Sequence, residues 1–489
     1  MRNFFTVSFT LLLVAGCSSN QVNYNDYSWS KLNTPRFTVF SQLDEQDTFE
    51  WAQDFDIFIT VIQQVIQVDE SRLPPLDIVL FNSERDFAPY RTRSESGVNE
   101  NVLAFFSNQG SWSIIGVPAN IRRDDAQRVT YHEAVHWYSS SLISLYPLWF
   151  AEGIAEVFST LEIDGNTVKW GTGIPRHVAY LRFIEGLQPL ETFFNVSAEN
   201  ALNIVDTYYP QSWFLVHYLL FGDNQLSPDA LNNLLTEIQT TGLNAAVENA
   251  LGMDIQSMDV ELQDYLDNGT YRVAQATLER SDFTSNIGPS TDAELELVLA
   301  KLALSGSNTE RAHAHATILA SLAPNEVSTY DIIAFIAAVM DDKPTLEVAL
   351  NNALALNSVD SKTYQIQAEF IFEENFNESD NYLDEDAARQ IVDLYSKSIT
   401  LLPYELDNYK NLIRILSQVE NTSVLDQQII EIGSVIFPNE GIFVLGRAII
   451  EHSKGNNESA LDLLNQAISE IYKTDSSDRN LRRYLLSVW

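Results

Sequence analysis

Apolar positions along this chain follow two regimes. Through about the first 280 residues, short apolar runs alternate with longer stretches of helical spacing. FTVFS (Phe37–Ser41) and LDIVLF (Leu76–Phe81) have the continuous aromatic and β-branched character of strands. Between them, Asp44 to Gln67 carries Phe49, Phe55, Phe58 and Val61 in the pattern of an amphipathic helix. LAFFSN (Leu103–Asn108) and SWSIIGVP (Ser111–Pro118) read as two further strands. Two helices follow, one through HEAVHWYSS and one through LWFAEGIAEVF. The break between them falls at Ser144–Pro147, and Pro147 suits the first turn of the second helix, where its missing N–H costs nothing. LEIDGNTVKWG (Leu161–Gly171) predicts a hairpin turning at Asp164–Gly165. PRHVAYLRF and YYPQSWFLVHYLLF (Tyr208–Phe221) predict helices, and helical patterns continue from Ser227 to Tyr265.

Beyond a polar stretch from Arg280 to Asp292, marked as a linker by Asn286, Gly288 and Pro289, nearly everything has helical spacing. SLAPNEVSTY, ALNSVDSKTY, TLLPYELDNY and VIFPNEGIFV share one layout: an apolar helix end, proline or its equivalent, then the next helix. Pro324, Ser358, Pro403 and Pro438 mark the same point at steps of 34, 45 and 35 residues, the middle step enlarged by an acidic insert near Glu373–Asp386. A period near 34, with alanines such as Ala388 and Ala460 in the second helix, resembles the tetratricopeptide repeat, although most of the Trp/Gly/Tyr consensus is missing. The resemblance implies stacked helix pairs presenting a surface to extended peptides or partner proteins. An irregular helical bundle is the competing architecture. His313 and His315 stand two apart, diverge on a helix, and define no metal site.

Composition narrows the partners. The 489 residues are enough for two or three domains, and the formal net charge of −38 is spread along the whole chain. Such a surface repels nucleic acid and anionic headgroups, so neither is expected as a partner. At the N-terminus, Arg2, an apolar run from Phe4 to Leu13 and VAGC ending at Cys17 form a processing signal too short to span a bilayer. VAGC resembles a bacterial lipobox, which implies cleavage before Cys17 and lipid attached to it. Ser18, where aspartate would signal inner-membrane retention, implies the outer membrane, facing the periplasm. Cys17 is the only cysteine, so the chain has no disulfide to form. The expected division is a signal peptide over 1–16, a polar tether over 17–34, a first domain over 35–275 and helical repeats over 290–489.

The chemistry concentrates in HEAVHWYSSSLISLYPLWFAEGIAEVF, from His132 to Phe158. On a helix, His132 and His136 project from one face, where two imidazoles can share a tetrahedral metal and leave room for a third ligand and a water. Glu133, on the same turn, is placed to take a proton from that water. In the following helix Glu152 and Glu156 again share a face. Glu152 is assigned to the metal, and Glu156 to a hydrogen bond that fixes the tautomer of a ligand histidine.

At these residues the chain resembles the gluzincin metallopeptidases, in which HExxH is followed by a glutamate ligand in an [N/S/A]-E-G-[F/L/I]-A motif. More narrowly it is similar to bacterial peptidase-MA-like proteins, which join such a domain to helical repeats. The resemblance runs from about Pro35 to Leu266, and only the two motif helices carry it closely. It implies an α+β thermolysin-like zinc peptidase domain followed by an all-α tetratricopeptide-like domain, one Zn2+, and hydrolysis of peptide bonds in a peptide or protein substrate. The fifteen residues between His136 and Glu152 are fewer than in the best-known gluzincins. The family also implies a tyrosine or histidine from a later helix beside the oxyanion. Tyr209 in its Y-x-x-S context is the first choice, His217 the second, with packing alone as the alternative. It implies an edge strand that pairs with substrate main chain, assigned to Ile114, Ile115 and Gly116. GVPAN loosely resembles the GxMEN segment of related aminopeptidases, but Ala119 stands where their amine-binding glutamate would be, which favours an endopeptidase. The competing function is a scaffold lipoprotein that holds zinc structurally, for which Glu133 has no evident use. His177 stands between an additional site residue and a structural histidine.

Overall fold

The computed structural model describes residues 28–66, 68, 70–94, 97–99, 102–119, 123–139, 146–196, 201, 204–278, 283–376, 383–438 and 440–474. The expected signal peptide, Cys17 and the first part of the expected tether lie outside the described residues.

Regular structure begins before Pro35. Ser30–Asn33 forms β1, which pairs antiparallel with β2 (Phe37–Ser41). Helix α1 (Glu45–Val65) starts at Asp44, whose side chain accepts the Asp47 N–H, and leads back to β3 (Leu76–Phe81). A short helix α2 (Glu84–Phe87) and a small pair, β4 (Arg93–Ser94) and β5 (Gly97–Val98), precede β6 (Phe105–Asn108) and β7 (Ser113–Pro118). Then come α3 (Arg123–Ser139) and α4 (Leu148–Ser159), with Pro147 at the N-cap of α4, one position earlier than expected. The hairpin β8 (Glu162–Asp164) and β9 (Thr167–Trp170) turns at Gly165, whose φ of 59° lies in the left-handed region. Helices α5 (Pro175–Phe183), α6 (Leu190–Phe193) and a long helix Val205–Phe221 complete the surroundings of α4. β10 (Ala274–Thr277) joins β9, and β11 (Asn286–Pro289) joins β1.

The main sheet has the order β11-β1-β2-β3-β7-β6, with β2, β3 and β7 parallel and the remaining pairs antiparallel. One row of residues crosses all six strands in register: Ile287, Leu32, Val39, Ile78, Ile115 and Phe106. Side chains alternate between faces along a strand. This row therefore packs against α1, α3 and α4 in one core, and the next row, with Phe40, Val79 and Phe105, points the other way.

That second face meets the first repeat helices. Leu295, Val298, Leu299 and Leu302 share a core with Phe40, Val79, Phe105 and Ile114. Lys301 Nζ lies 3.0 Å from Asp77 Oδ2 and sits over the Trp112 ring, and Tyr90 Oη lies 3.0 Å from His315 Nε2. Two expected boundaries are corrected. The tether stops before Ser30, and the linker after Arg280 contains β11. SKLN and NIGP show no apolar alternation; they become strands because each finds its backbone partners in the other, far along the chain.

Among the described residues, the C-terminal half forms five helical hairpins, beginning with Asp292–Ser305 and Thr309–Leu322 and ending with Ile442–Ser453 and Asn457–Thr474. Pro324, Ser358, Pro403 and Pro438 each lie in the turn between one hairpin and the next. Three of these turns carry the same fastening. The hydroxyls of Tyr330, Tyr364 and Tyr409 donate to the carbonyls of Pro324, Ser358 and Pro403, six residues upstream, at 2.8, 2.8 and 3.1 Å. No described helix is long and apolar enough to cross a membrane.

Candidate metal centre

Two crossing helices build the site. α3 is held along its length: Tyr131 stacks on Phe58 at 3.9 Å between centroids, and Trp137 Nε1 donates to Pro74 O at 3.0 Å. Ala134 and Val135 are fully buried, which turns His132 and His136 toward α4. α4 crosses the long helix Val205–Phe221 at Gly153, where a Cβ would collide with the Ser212 carbonyl and stand 2.5 Å from Val216 Cγ2. The glycine after Glu152 thus lets two helix backbones meet, and the approach brings Tyr209 to the site.

The ligand atoms form a near-equilateral triangle. His132 Nε2 lies 3.1 Å from His136 Nε2 and 3.4 Å from Glu152 Oε2, and His136 Nε2 lies 3.5 Å from Glu152 Oε2. Three donors each about 2.0–2.1 Å from a shared tetrahedral ion would be spaced roughly 3.3 Å apart, so the triangle matches one face of a zinc tetrahedron with its fourth corner open. Glu152 Oε2 is buried and met only by the long approaches of the His132 and His136 Nε2 atoms, a costly state for a carboxylate oxygen unless a cation completes it. Among the described residues this is the His/Cys/Asp/Glu group whose ligand atoms converge closely enough to hold a metal ion. The donor set fits the expected ion.

Electrostatics point the same way. Burial opposes protonation of His132, but the hydrogen bond to Glu152 and the charges of Glu156, Glu133 and Glu152 outweigh it and push the imidazole up to about 9. Burial would raise Glu152 too, yet hydrogen bonds from His132 and His136, and their charge, hold it well below the usual carboxylate range. Two imidazoles among three carboxylates form a pocket that draws positive charge. Glu133 moves the other way. Burial, with the nearby Glu152, raises it above an ordinary glutamate despite the two histidines and a hydrogen bond from the Phe106 N–H. That shift suits a general base.

Tyr209 lies beside the His132 ring. Its ring lies 5.9 Å from that of His132, and burial, Glu152 and Glu133 push its phenol up, so it remains a donor. His217 does not reach the site. Fully buried, it contacts the Gly171 carbonyl through Nε2 at 2.8 Å and the Tyr265 hydroxyl through Nδ1 at 2.9 Å. Glu156 takes the orienting position, with Oε1 3.5 Å from His132 Nδ1.

The strand assignment is corrected. β7, which holds Ile114, Ile115 and Gly116, is hydrogen-bonded to β3 on one side and β6 on the other, so it has no free edge for a substrate. Gly116 faces Leu302 of the first repeat helix, away from His132, His136 and Glu152. Among the described residues β6 ends the sheet beside α3, and its Phe106 N–H reaches Glu133. The fold adds two neighbours of Glu156. One is Arg128, whose Nη2 lies 3.5 Å from Oε2; the other is His177, whose role the sequence leaves open and whose Nε2 lies 3.3 Å from the same oxygen. Arg128 precedes His132 by one helical turn, a spacing that could have revealed it. It also borders a cleft of about 650 Å³ lined by Thr160, Thr172 and Ile174, among others.

No protein-family model matches the chain, and no curated protein matches it. The solved structures to which it is similar include two described as the crystal structure of MamA protein and the crystal structure of MamA. Each is 14% identical, with TM-scores of 0.28; the overlaps cover 38% and 36% of this chain and 96% and 97% of theirs. At those scores the likeness carries no argument about function.

Proposed function

We propose that this chain is a zinc-dependent peptidase of thermolysin-like design, carried on a lipid anchor at Cys17 and joined to tetratricopeptide-type repeats. One observation carries the reading: a tetrahedral face of His132, His136 and Glu152 lies beside a buried, proton-avid Glu133 at the open edge of a sheet. Bound there, zinc supplies Lewis-acid polarisation and lowers the pKa of a water to about 7.

The protein's own groups do the rest. Glu133 accepts the proton of the attacking water and passes it to the leaving amine. Tyr209 donates to the oxyanion that develops on the scissile carbonyl. The free edge of β6, in place of β7, pairs with substrate main chain and lays the scissile bond across α3. Glu156 engages His132 Nδ1, leaving Nε2 for the ion. The address this reading implies is the periplasmic side of the outer membrane.

The test is zinc content and casein-peptide hydrolysis for the form beginning after Cys17, with Glu133→Gln alongside. One zinc per chain in both, with hydrolysis reduced on the order of 10³-fold or more in the variant, is expected. A protein without zinc would overturn the reading. Zinc without hydrolysis in either form would favour a scaffold.

A further inference from the structure

Glu156 has a second oxygen, and what holds it matters for the metal. Oε1 faces His132 Nδ1 from α3. Oε2 faces His177 Nε2 from α5 at 3.3 Å and Arg128 Nη2 from α3 at 3.5 Å. One carboxylate on α4 thus ties two other helices together. A carboxylate anchored only through a single histidine could swing about its χ angles, and the histidine would swing with it. Anchored at both oxygens, it presents Oε1 in one direction.

His177 is made for that task. It is 3% exposed, with its ring centroid 5.9 Å from that of Trp213, itself fully buried on the long helix Val205–Phe221. Its Nδ1 is buried without a partner, an arrangement that suits a bare ring nitrogen and leaves the hydrogen on Nε2, aimed at Glu156. Arg128 has a more exposed side chain, at 37%, and borders the cleft, so water competes with it for Glu156 as it cannot with His177. The sequence offers PRHVAYLRF with no motif around the histidine; only the fold brings it to Glu156.

We infer that His177 is a positioning residue for the metal centre: its Nε2–H fixes the Glu156 carboxylate, which in turn holds His132 with Nε2 toward the ion, and Arg128 assists from the cleft side. His177 itself touches neither metal nor substrate. The inference rests on the zinc reading above and extends it to a helix that carries no ligand.

The experiment measures zinc affinity by competition with a chromophoric chelator, on the form beginning after Cys17. The variants are His177→Leu, which keeps bulk and removes the donor, and His177→Gln, which restores an N–H donor. Thermal melts of the zinc-free proteins run in parallel. His177→Leu is expected to bind zinc about 10- to 100-fold more weakly, the usual effect of losing such a partner, and His177→Gln to recover most of that loss. Arg128→Met should fall between wild type and His177→Leu. Zinc affinity of His177→Leu within twofold of wild type overturns the inference and leaves the zinc reading standing. So does an equal loss in both His177 variants, because packing alone would then account for it. Wild-type protein that binds no zinc overturns the zinc reading itself.

Discussion

At the scale of single residues, Gly153 has the most exposed consequences. Because a Cβ there would press on the Ser212 carbonyl and Val216, Gly153→Ala must move α4 away from the long helix that carries Tyr209. Overpacking of this kind costs ~1–3 kcal/mol, so calorimetry should show a lowered Tm, and chelator competition a weaker hold on zinc, since Glu152 is the neighbouring residue. His217 gives a pH signature. Burial pulls its imidazole down to about 4, against about 6.5 when unfolded, with hydrogen bonds to backbone carbonyls only partly offsetting the cost. The folded state keeps the ring neutral. Its contribution is therefore complete above pH 6.5 and is lost as pH falls from 6.5 through 4, amounting to ~2 kcal/mol by pH 5. Urea midpoints at pH 7.5 and pH 5 should separate further for wild type than for His217→Gln. Equal separations would show that the folded state does not hold the ring neutral.

At the scale of elements, the repeats depend on a few polar fasteners between apolar helices. Asp426, fully buried, receives Arg389 Nη1 and Nη2, each at 2.9 Å, joining the helices Glu385–Leu401 and Val424–Ile436. Arg389→Met would leave that buried carboxylate only its capping bond from the Ser423 N–H at 2.7 Å and cost ~3–5 kcal/mol, visible in the urea midpoint. The double variant Arg389→Met/Asp426→Leu should recover part of it, less about 1 kcal/mol for the lost helix cap. Strands Phe37–Ser41 and Leu76–Phe81, the hairpin at Gly165 and the interhelical turns at Pro324, Ser358, Pro403 and Pro438 were legible because each is written in its own few residues. The candidate ligands His132 and His136 were legible for the same reason: one helical turn places the pair on one face. What was not legible depends on remote partners. β1 and β11 exist only through each other, and strand order decided whether β6 or β7 held the free edge. His177 reaches Glu156 through the packing of α5, which no local pattern encodes.

At the scale of the molecule, the sheet and the first repeat helices meet in a shared core. LDIVLF and SIIGVP are nearly continuous apolar runs, the mark of strands covered on both faces, and the second cover is the first repeat hairpin. A chain ending after Thr277 would lack β11 and that hairpin, exposing Phe40, Val79, Phe105 and Ile114; it should aggregate or bind hydrophobic dye strongly. The full chain should show a coincident loss of both halves when followed by tyrosine and tryptophan signals. Gly116→Val should loosen the junction, because Leu302 Cδ1 already lies 2.8 Å from where a Cβ would stand.

The pairing of β1 with β11 has a mechanical meaning. Ser30, where the first strand begins, sits opposite Pro289, where the chain departs for the repeats. Lys31 grips Glu294 in the first turn of the first repeat helix at 2.8 Å. A pull between the proposed N-terminal anchor and the repeats would therefore enter and leave at one corner of the sheet. The long stretch of chain between those points forms a closed loop that carries none of the tension, and the crossing of α3 and α4 lies within it. A partner tugging on the array would strain that corner and leave the spacing of His132, His136 and Glu152 undisturbed.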